Sequence, residues 1–390
     1  MKKAVNFSLI ALVAMQAGIF ADTNQDNGTV QDIFYPGQNL QDNTYPAAYN
    51  ASASVRLKNK DGELQNDQIF IKAGFNYLDV YQGGMDLATS GYLYGPVNND
   101  TKVGYLQQSK VLYQDTKYNP CFDVVVGFQS PEWQFGLGYD WIRSNTYTNQ
   151  QALGVEDPST GIGVWTPNNW FYQETGASQE IAGTDISSKW HVGLDLFDLF
   201  VSRPFYEGKR VVVSPYGAIS AAWIRQKLIT KLTIQPDTVI AQLENDRIAS
   251  RNYSNSWSLG PKIGVKPKVL LGRNFWIDMD AAAALLFTQY TTIKHSESLA
   301  QASSIPSQIG TIITNYDTLT PELELALNLG WGDYFHDQKY YMDFSIGYRF
   351  IEFFEQNRMR SLVDQTLTGS GAAPSNLFIH GLNVSLDLHF

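Results

Sequence analysis

The chain has 390 residues, a formal net charge of −10 and a single cysteine, Cys121. The negative balance argues against nucleic acid as a partner, and one thiol excludes an intramolecular disulfide framework. Charged residues are only 17% and aromatics 13%, with 31 Gly and a mean hydropathy of −0.23; these values suit either a large exported β-protein or a membrane barrel, in which only alternate residues need be apolar.

Met1-Lys2-Lys3 is a positive start, followed by an apolar stretch from Leu9 to Phe20 and the small residue Ala21. This pattern predicts a secretory signal over residues 1–21. Downstream, the longest apolar run is Ala281 to Phe287, far below the roughly 20 residues that a helix needs to cross a bilayer. Residues 22–68 are polar and aperiodic and are expected to form an N-terminal periplasmic arm.

From residue 69 onward, apolar residues recur at every second position, the period of a strand with two unlike faces. Ile69, Ile71, Ala73, Phe75 and Tyr77 form the first such row. A polar segment follows, within which Lys102 to Tyr113 is expected to extend a strand above the membrane. Phe122 to Phe128 and Trp133 to Trp141 make the next two rows, joined by the tight turn Ser130-Pro131-Glu132. A loop predicted over Ser144 to Ser188 contains Trp165 and Trp170. Trp190, Val192, Leu194 and Leu196 then alternate with His191, Gly193 and Asp195.

Arg210 to Gln226 reads as a strand apolar on both faces, continued by Leu228 to Ile234. Trp257 to Val265 and Phe275 to Phe287 form rows joined by the turn Leu271-Gly272-Arg273-Asn274. Leu319 to Trp331 and Tyr340 to Phe350 follow, and loop residues 356–375 precede a last row ending in Leu386, Leu388 and Phe390. Pro215, Pro261 and Pro321 fall inside these rows and leave the register there open, because a closed barrel has no edge strand on which to place them.

Ten strands result, within a range of 10–16, and their connections alternate between short turns and long loops. That alternation is the habit of barrels with short periplasmic turns and long extracellular loops. Lipid-facing backbone must be fully paired, which requires closure. The predicted fold is therefore all-β: a closed antiparallel transmembrane β-barrel over residues 69–390 in a bacterial outer membrane. Of nine Trp, seven (133, 141, 190, 223, 257, 276, 331) lie on these rows, most near an end, where aromatic girdles sit.

In their order along residues 69–390, several segments resemble a known family. They are Asn119-Pro120-Cys121-Phe122 with Gly136-Leu137-Gly138-Tyr139, Lys189-Trp190 leading into Leu194-Asp195-Leu196, and Pro215-Tyr216-Gly217 with Ala222-Trp223-Ile224. Gly260-Pro261-Lys262-Ile263-Gly264, the stretch from Leu323 to Asn357 and the terminal Phe390 complete the set. The sequence resembles the legionella-type and chlamydia-related major outer membrane proteins. The resemblance implies an abundant pore-forming barrel, a porin, with homo-oligomerisation as a further expectation. Cys121 stands alone, unlike the cysteine-rich chlamydial members, so covalent cross-linking is not expected.

The residues facing away from lipid would set the selectivity of a pore. The polar positions opposite the apolar rows are Lys72, Asp123, Asp140, Asp195, Lys262, Lys266, Asp278, Asp280, Glu322, Glu324, Asp343, Arg349 and Asp387, nine acids against four bases. They predict a pore for small hydrophilic solutes with a mild cation preference. The rival function is a structural or adhesive barrel whose long loops contact host or partner molecules. No cofactor, metal or catalytic set is expected; a rim hydrolase built on His295 and Ser296 is the enzymatic alternative, with a plain loop the simpler reading. Expected partners are outer-membrane lipid and lipopolysaccharide, and the barrel-assembly machinery through the strand ending in Phe390.

Overall fold

A computed structural model describes residues 68–97, 100–105, 109–130, 132–152, 162–167, 170–171, 182–208, 210–234, 247–300, 307–335, 340–368 and 374–390. The predicted signal (1–21) and the predicted arm (22–68) lie outside these residues, except for Gln68, which opens β1. The first elements are β1 (Gln68–Gln82), β2 (Asp86–Val97), β3 (Asp100–Tyr105), β4 (Val111–Tyr113), β5 (Asn119–Gln129), β6 (Gln134–Gln151), β7 (Ile162–Pro167) and β8 (Gly183–Ser202). Then come β9 (Tyr206–Glu207), β10 (Val211–Ile234), β11 (Arg247–Gly272), β12 (Phe275–Ala300), β13 (Ser307–Phe335), β14 (Tyr340–Phe353), the helix α1 (Arg358–Thr368) and β15 (Leu377–His389).

Ten of these strands close a ring in the order β1-β5-β6-β8-β10-β11-β12-β13-β14-β15, every pair antiparallel. The seam forms between the first and last strands, where Phe390 N–H donates to Ile69 O at 2.9 Å. The ring strands are the ten that alternation predicts. β2, β3, β4 and β7 pair with one another outside the ring and attach to it through Trp165 and Gly183.

The prolines fit the ladder because each turns its missing N–H toward a place where pairing has stopped. In an antiparallel strand a residue's N–H and C=O point to the same side. Pro215 accepts from Arg203 N–H at 3.3 Å, so it faces β8, whose pairing with β10 begins only at Tyr216. Pro321 likewise accepts from Phe354 N–H at 3.1 Å, on the side where pairing with β14 begins at Glu322. Pro261 pairs with Ile219 of β10, and the ladder to β12 skips it between Leu259 and Lys262.

The outer wall is apolar: Ile71, Phe75, Leu137, Leu199, Ile219, Ile263, Leu285, Leu327 and Ile346 are all exposed on it. β8, β10, β11, β12 and β13 run to 20–29 residues, more than the roughly 9–11 needed to cross, so their far halves stand above the bilayer. Much of the predicted loop 144–188 is therefore strand, as β6 reaches Gln151 and β8 starts at Gly183. The predicted loop 356–375 contains α1 instead.

The turn between β11 and β12 places Arg273 and Asn274 at φ 52° and 68° after Gly272 at 92°. Two central residues at positive φ make the I′-type hairpin, whose twist matches the flanking strands.

Candidate functional site: the charged lumen and its closure

Alternation carries twelve of the thirteen predicted lumen residues to the inner face; Asp195 is the exception. Near the end bearing the short turns, Lys72 lies directly opposite Asp387, and Asp387 opposite Asp343. Lys268 Nζ approaches Asp343 at 3.6 Å and lies 3.9 Å from the Trp276 ring centroid. Trp276 is inside the barrel and buried, which corrects its girdle assignment. It fits because Gly330 faces it: a Cβ there would come within 2.1 Å of the indole.

One level higher, Lys266 pairs with Asp280 at 3.1 Å, and Tyr216 Oη donates to the same carboxylate at 2.9 Å. Asn328 donates to Asp278 at 2.7 Å. Asp123 accepts from Asn76 at 2.5 Å.

Above these, a belt of ion pairs crosses the lumen. Arg349 of β14 reaches Asp140 of β6 with both terminal nitrogens, and Glu324 of β13 at 3.5 Å. Lys262 of β11 continues the chain to Glu324 at 3.0 Å, Glu322 at 3.7 Å and Asp198 of β8 at 2.8 Å. The belt thus runs from β8 by way of β11, β13 and β14 and then across the lumen to β6, the neighbour of β8, leaving β15, β1 and β5 outside it. The Lys262 side chain is 1% exposed and that of Glu322 is 0%. Burying such charges costs several kcal/mol each unless partners compensate; for the Lys262 ammonium the three converging carboxylates do so.

Beneath the belt the lumen is hollow and lined by charged residues. A cavity of ≈ 140 Å³ is lined by Lys72, Asp123, Asp140, Lys266, Asp280 and Arg349, among others. A second, of ≈ 240 Å³, opens at the short-turn mouth and shares Lys72 and Lys266. One water needs roughly 10–15 Å³ of such space, so each has room for a cluster of waters.

Above the belt the character reverses. Leu78, Leu194, Leu196, Ile224, Ile351 and Phe353 point inward and are at most 1% exposed. Met359 and Val363 of α1 and Trp170, Leu87 and Met85 join the same cluster. The cap is pinned by polar contacts at its margin: Gln356 bridges Tyr290 and Ser256, and Arg360 pairs with Asp86 at 3.3 Å and stacks over Trp170. The passage is shut here, by apolar packing over an ion belt.

This layer explains the one misplaced residue. On β8 the row from Trp190 to Leu196 is buried inside the cap, not against lipid as its alternation predicts. Asp195 therefore faces outward, paired with Arg143 at 2.6 Å and Arg225 at 2.5 Å. The lumen acid of this strand is Asp198, which sequence reasoning missed together with Lys268. Its signal was present: Phe197, Leu199 and Val201 form an apolar row at odd positions, and that row marks the lipid face. With Asp195 removed and these two added, the charged layer holds nine acids and five bases.

Cys121 is a free thiol, fully buried on the inner face. His295 is 2% exposed, its two ring nitrogens engaged by Asn252 at 2.7 Å and Glu297 at 2.8 Å, while the Ser296 hydroxyl turns to Arg251 O. Neither ring nitrogen is placed to take a proton from that serine.

Residues 63–390 match the sequence profile of the family described as Legionella pneumophila major outer membrane protein precursor. The chain belongs to that family. Family and barrel together locate it in the outer membrane. No curated protein matches the chain in sequence. Among solved structures it is similar to the outer membrane protease OmpT from Escherichia coli, with 7% identity and a TM-score of 0.36, covering 83% of this chain and 96% of that one. The toluene transporter TodX from Pseudomonas putida gives 8% identity and 0.25, over 84% and 90%. A major outer membrane protein from Thermus thermophilus gives 10% and 0.27, over 84% and 100%. Likenesses at this level leave the function of this family member to its own residues.

Proposed function

We propose that this outer-membrane barrel is a diffusion channel for small hydrophilic solutes and ions, mildly cation-preferring, seen here closed. The observation that carries the reading is the charged lower lumen with its two cavities, where nine acids stand against five bases, belt included, inside a closed ring. Rings of charge select ions by field, and the acidic excess favours cations. A signal over residues 1–21 would export the chain, and its last strand, ending in Phe390, would be read by the assembly machinery.

Folded protein in planar bilayers should give discrete conductance steps, with a reversal potential on the cation side under a salt gradient. Replacing Glu322 and Glu324 with Gln should move that potential toward anions. Folded barrels that give no channel events at any voltage would reject the channel.

A second reading is a structural or adhesive barrel that contacts host or partner molecules through its surface loops. The observation favouring it is the filled upper lumen, since about eight strands already leave little room beyond side chains. The same bilayer experiment separates the two.

A further inference from the structure

On its outer wall the barrel carries a second charged cluster, unrelated to the lumen. Strand register resolves it into rows across β6, β8, β10 and β11. The lowest row is Trp141, Asp195, Trp223 and Trp257. Directly above lie Arg143, Gly193, Arg225 and Asn255, then Asn145, His191, Lys227 and Tyr253, then Tyr147, Lys189, Ile229 and Arg251.

Going up the wall, lipid-facing apolar residues thus give way to a tryptophan row and then to rows rich in cations. Tryptophan marks the interface; the cations above it stand at the depth of lipid headgroups on the long-loop side. The other wall differs. From the level of Tyr77 and Tyr348 upward, the outward positions of β1, β14 and β15 carry Asp79, Tyr81, Phe350, Glu352, Phe378 and His380, with no Lys or Arg.

The cluster is also pre-arranged. Gly193 has no side chain, and Arg143 and Arg225 close over it to share the Asp195 carboxylate, which Tyr139 also reaches at 2.9 Å. A groove of ≈ 450 Å³ opens at this point, floored by Tyr139, Phe197, Trp223 and Trp257 and edged by Arg225. Lys227 and Lys189 lie over the Tyr253 and Tyr147 rings at 5.4 and 5.6 Å, their ammonium groups held at the wall.

We infer that this groove binds the phosphorylated headgroup of lipopolysaccharide in the outer leaflet, an acyl chain lying along the aromatic floor and a glucosamine phosphate meeting Arg225, Lys227 and Lys189. Asp195 occupies one edge of the Arg225 fork, and a guanidinium with five N–H donors retains others for phosphate. The charge complementarity is one-sided, so the lipid is held at one arc of the barrel and not around it.

The test uses folded protein in detergent, with lipid A as the probe and binding read by native mass spectrometry. At about 1 kcal/mol per cation near a lipid surface, the triple variant R225Q/K227Q/K189Q should bind lipid A about a hundredfold more weakly. Dephosphorylated lipid A should bind wild-type protein as weakly as lipid A binds the variant, and K117Q, at an exposed lysine two residues before β5 and outside the patch, should bind lipid A as wild type does. If the triple variant loses its heat-modifiable gel migration, K227Q alone replaces it, with a loss of about fivefold. Equal retention by variant and wild type, or equal competition by phosphatidylglycerol, would overturn the assignment.

Discussion

At the scale of single residues, what decides the energetics is whether a charge has its partners. Lys262 is the hub of the belt, buried against three carboxylates. Lys262→Met leaves that negative charge uncompensated and should destabilise the folded barrel by about 3–5 kcal/mol, measured by urea unfolding in detergent. Asp195→Asn frees two arginines beside the interfacial tryptophans, where an exposed cation costs only about 0–1 kcal/mol. Its unfolding midpoint should hardly move, and its reversal potential should equal that of wild type because Asp195 lies outside the lumen. A shifted potential for D195N would return that residue to the pore. Sequence alone offers both as acids or bases in alternating rows; only burial distinguishes them.

At the scale of elements, strand existence was legible and strand facing was not. Alternation located all ten ring strands, since every ring strand presents unlike inner and outer faces over at least part of its length. It did not say which face is greasy for lipid and which for an internal cap, because both demand the same side chains. β8 was inverted for that reason, and Trp190 went inward with its apolar neighbours, whereas Trp276 lies on the polar face of β12 and enters the charged lower lumen beside Lys268. The helix α1 was missed because residues 358–368 carry a weak apolar stripe, and what holds them is docking of Met359 and Val363 into the lumen. Turns are more local. Arg273 sits at φ 52°, and a left-handed conformation costs an ordinary residue about 1–2 kcal/mol. Asn tolerates it better, so Arg273→Asn should raise stability by about 0.5 kcal/mol, seen as a higher urea midpoint with unchanged slope. A lower midpoint would mean that Arg273 makes a contact worth more than the strain.

At the scale of the whole molecule, the barrel divides into a charged half with cavities and an apolar capped half. The first barrier to a path is the cap, which lies over the Arg349–Asp140 bridge and is held by side chains, whereas the ring is hydrogen-bond continuous. Placing carboxylates in that packing with Met359→Asp and Val363→Asp should displace α1 and raise conductance in planar bilayers several-fold, with gel migration of the unheated barrel preserved. Conductance identical to wild type in a folded double variant would show that α1 does not gate the lumen. The ring itself should remain intact in this variant, since β14 and β15 pair over thirteen residue positions independent of the helix.

The sequence by itself determined a closed ring of ten antiparallel strands: period-two alternation, short turns against long loops, and the requirement that backbone in lipid be fully paired admit little else. Tertiary structure decided what fills the ring. Whether Leu194 or Asp195 meets lipid, and whether Arg349 reaches Glu324 alone or spans the lumen to Asp140, depend on residues more than a hundred positions apart sharing one interior. Alternation is a property of a strand, whereas inside and outside exist only after the strands have closed.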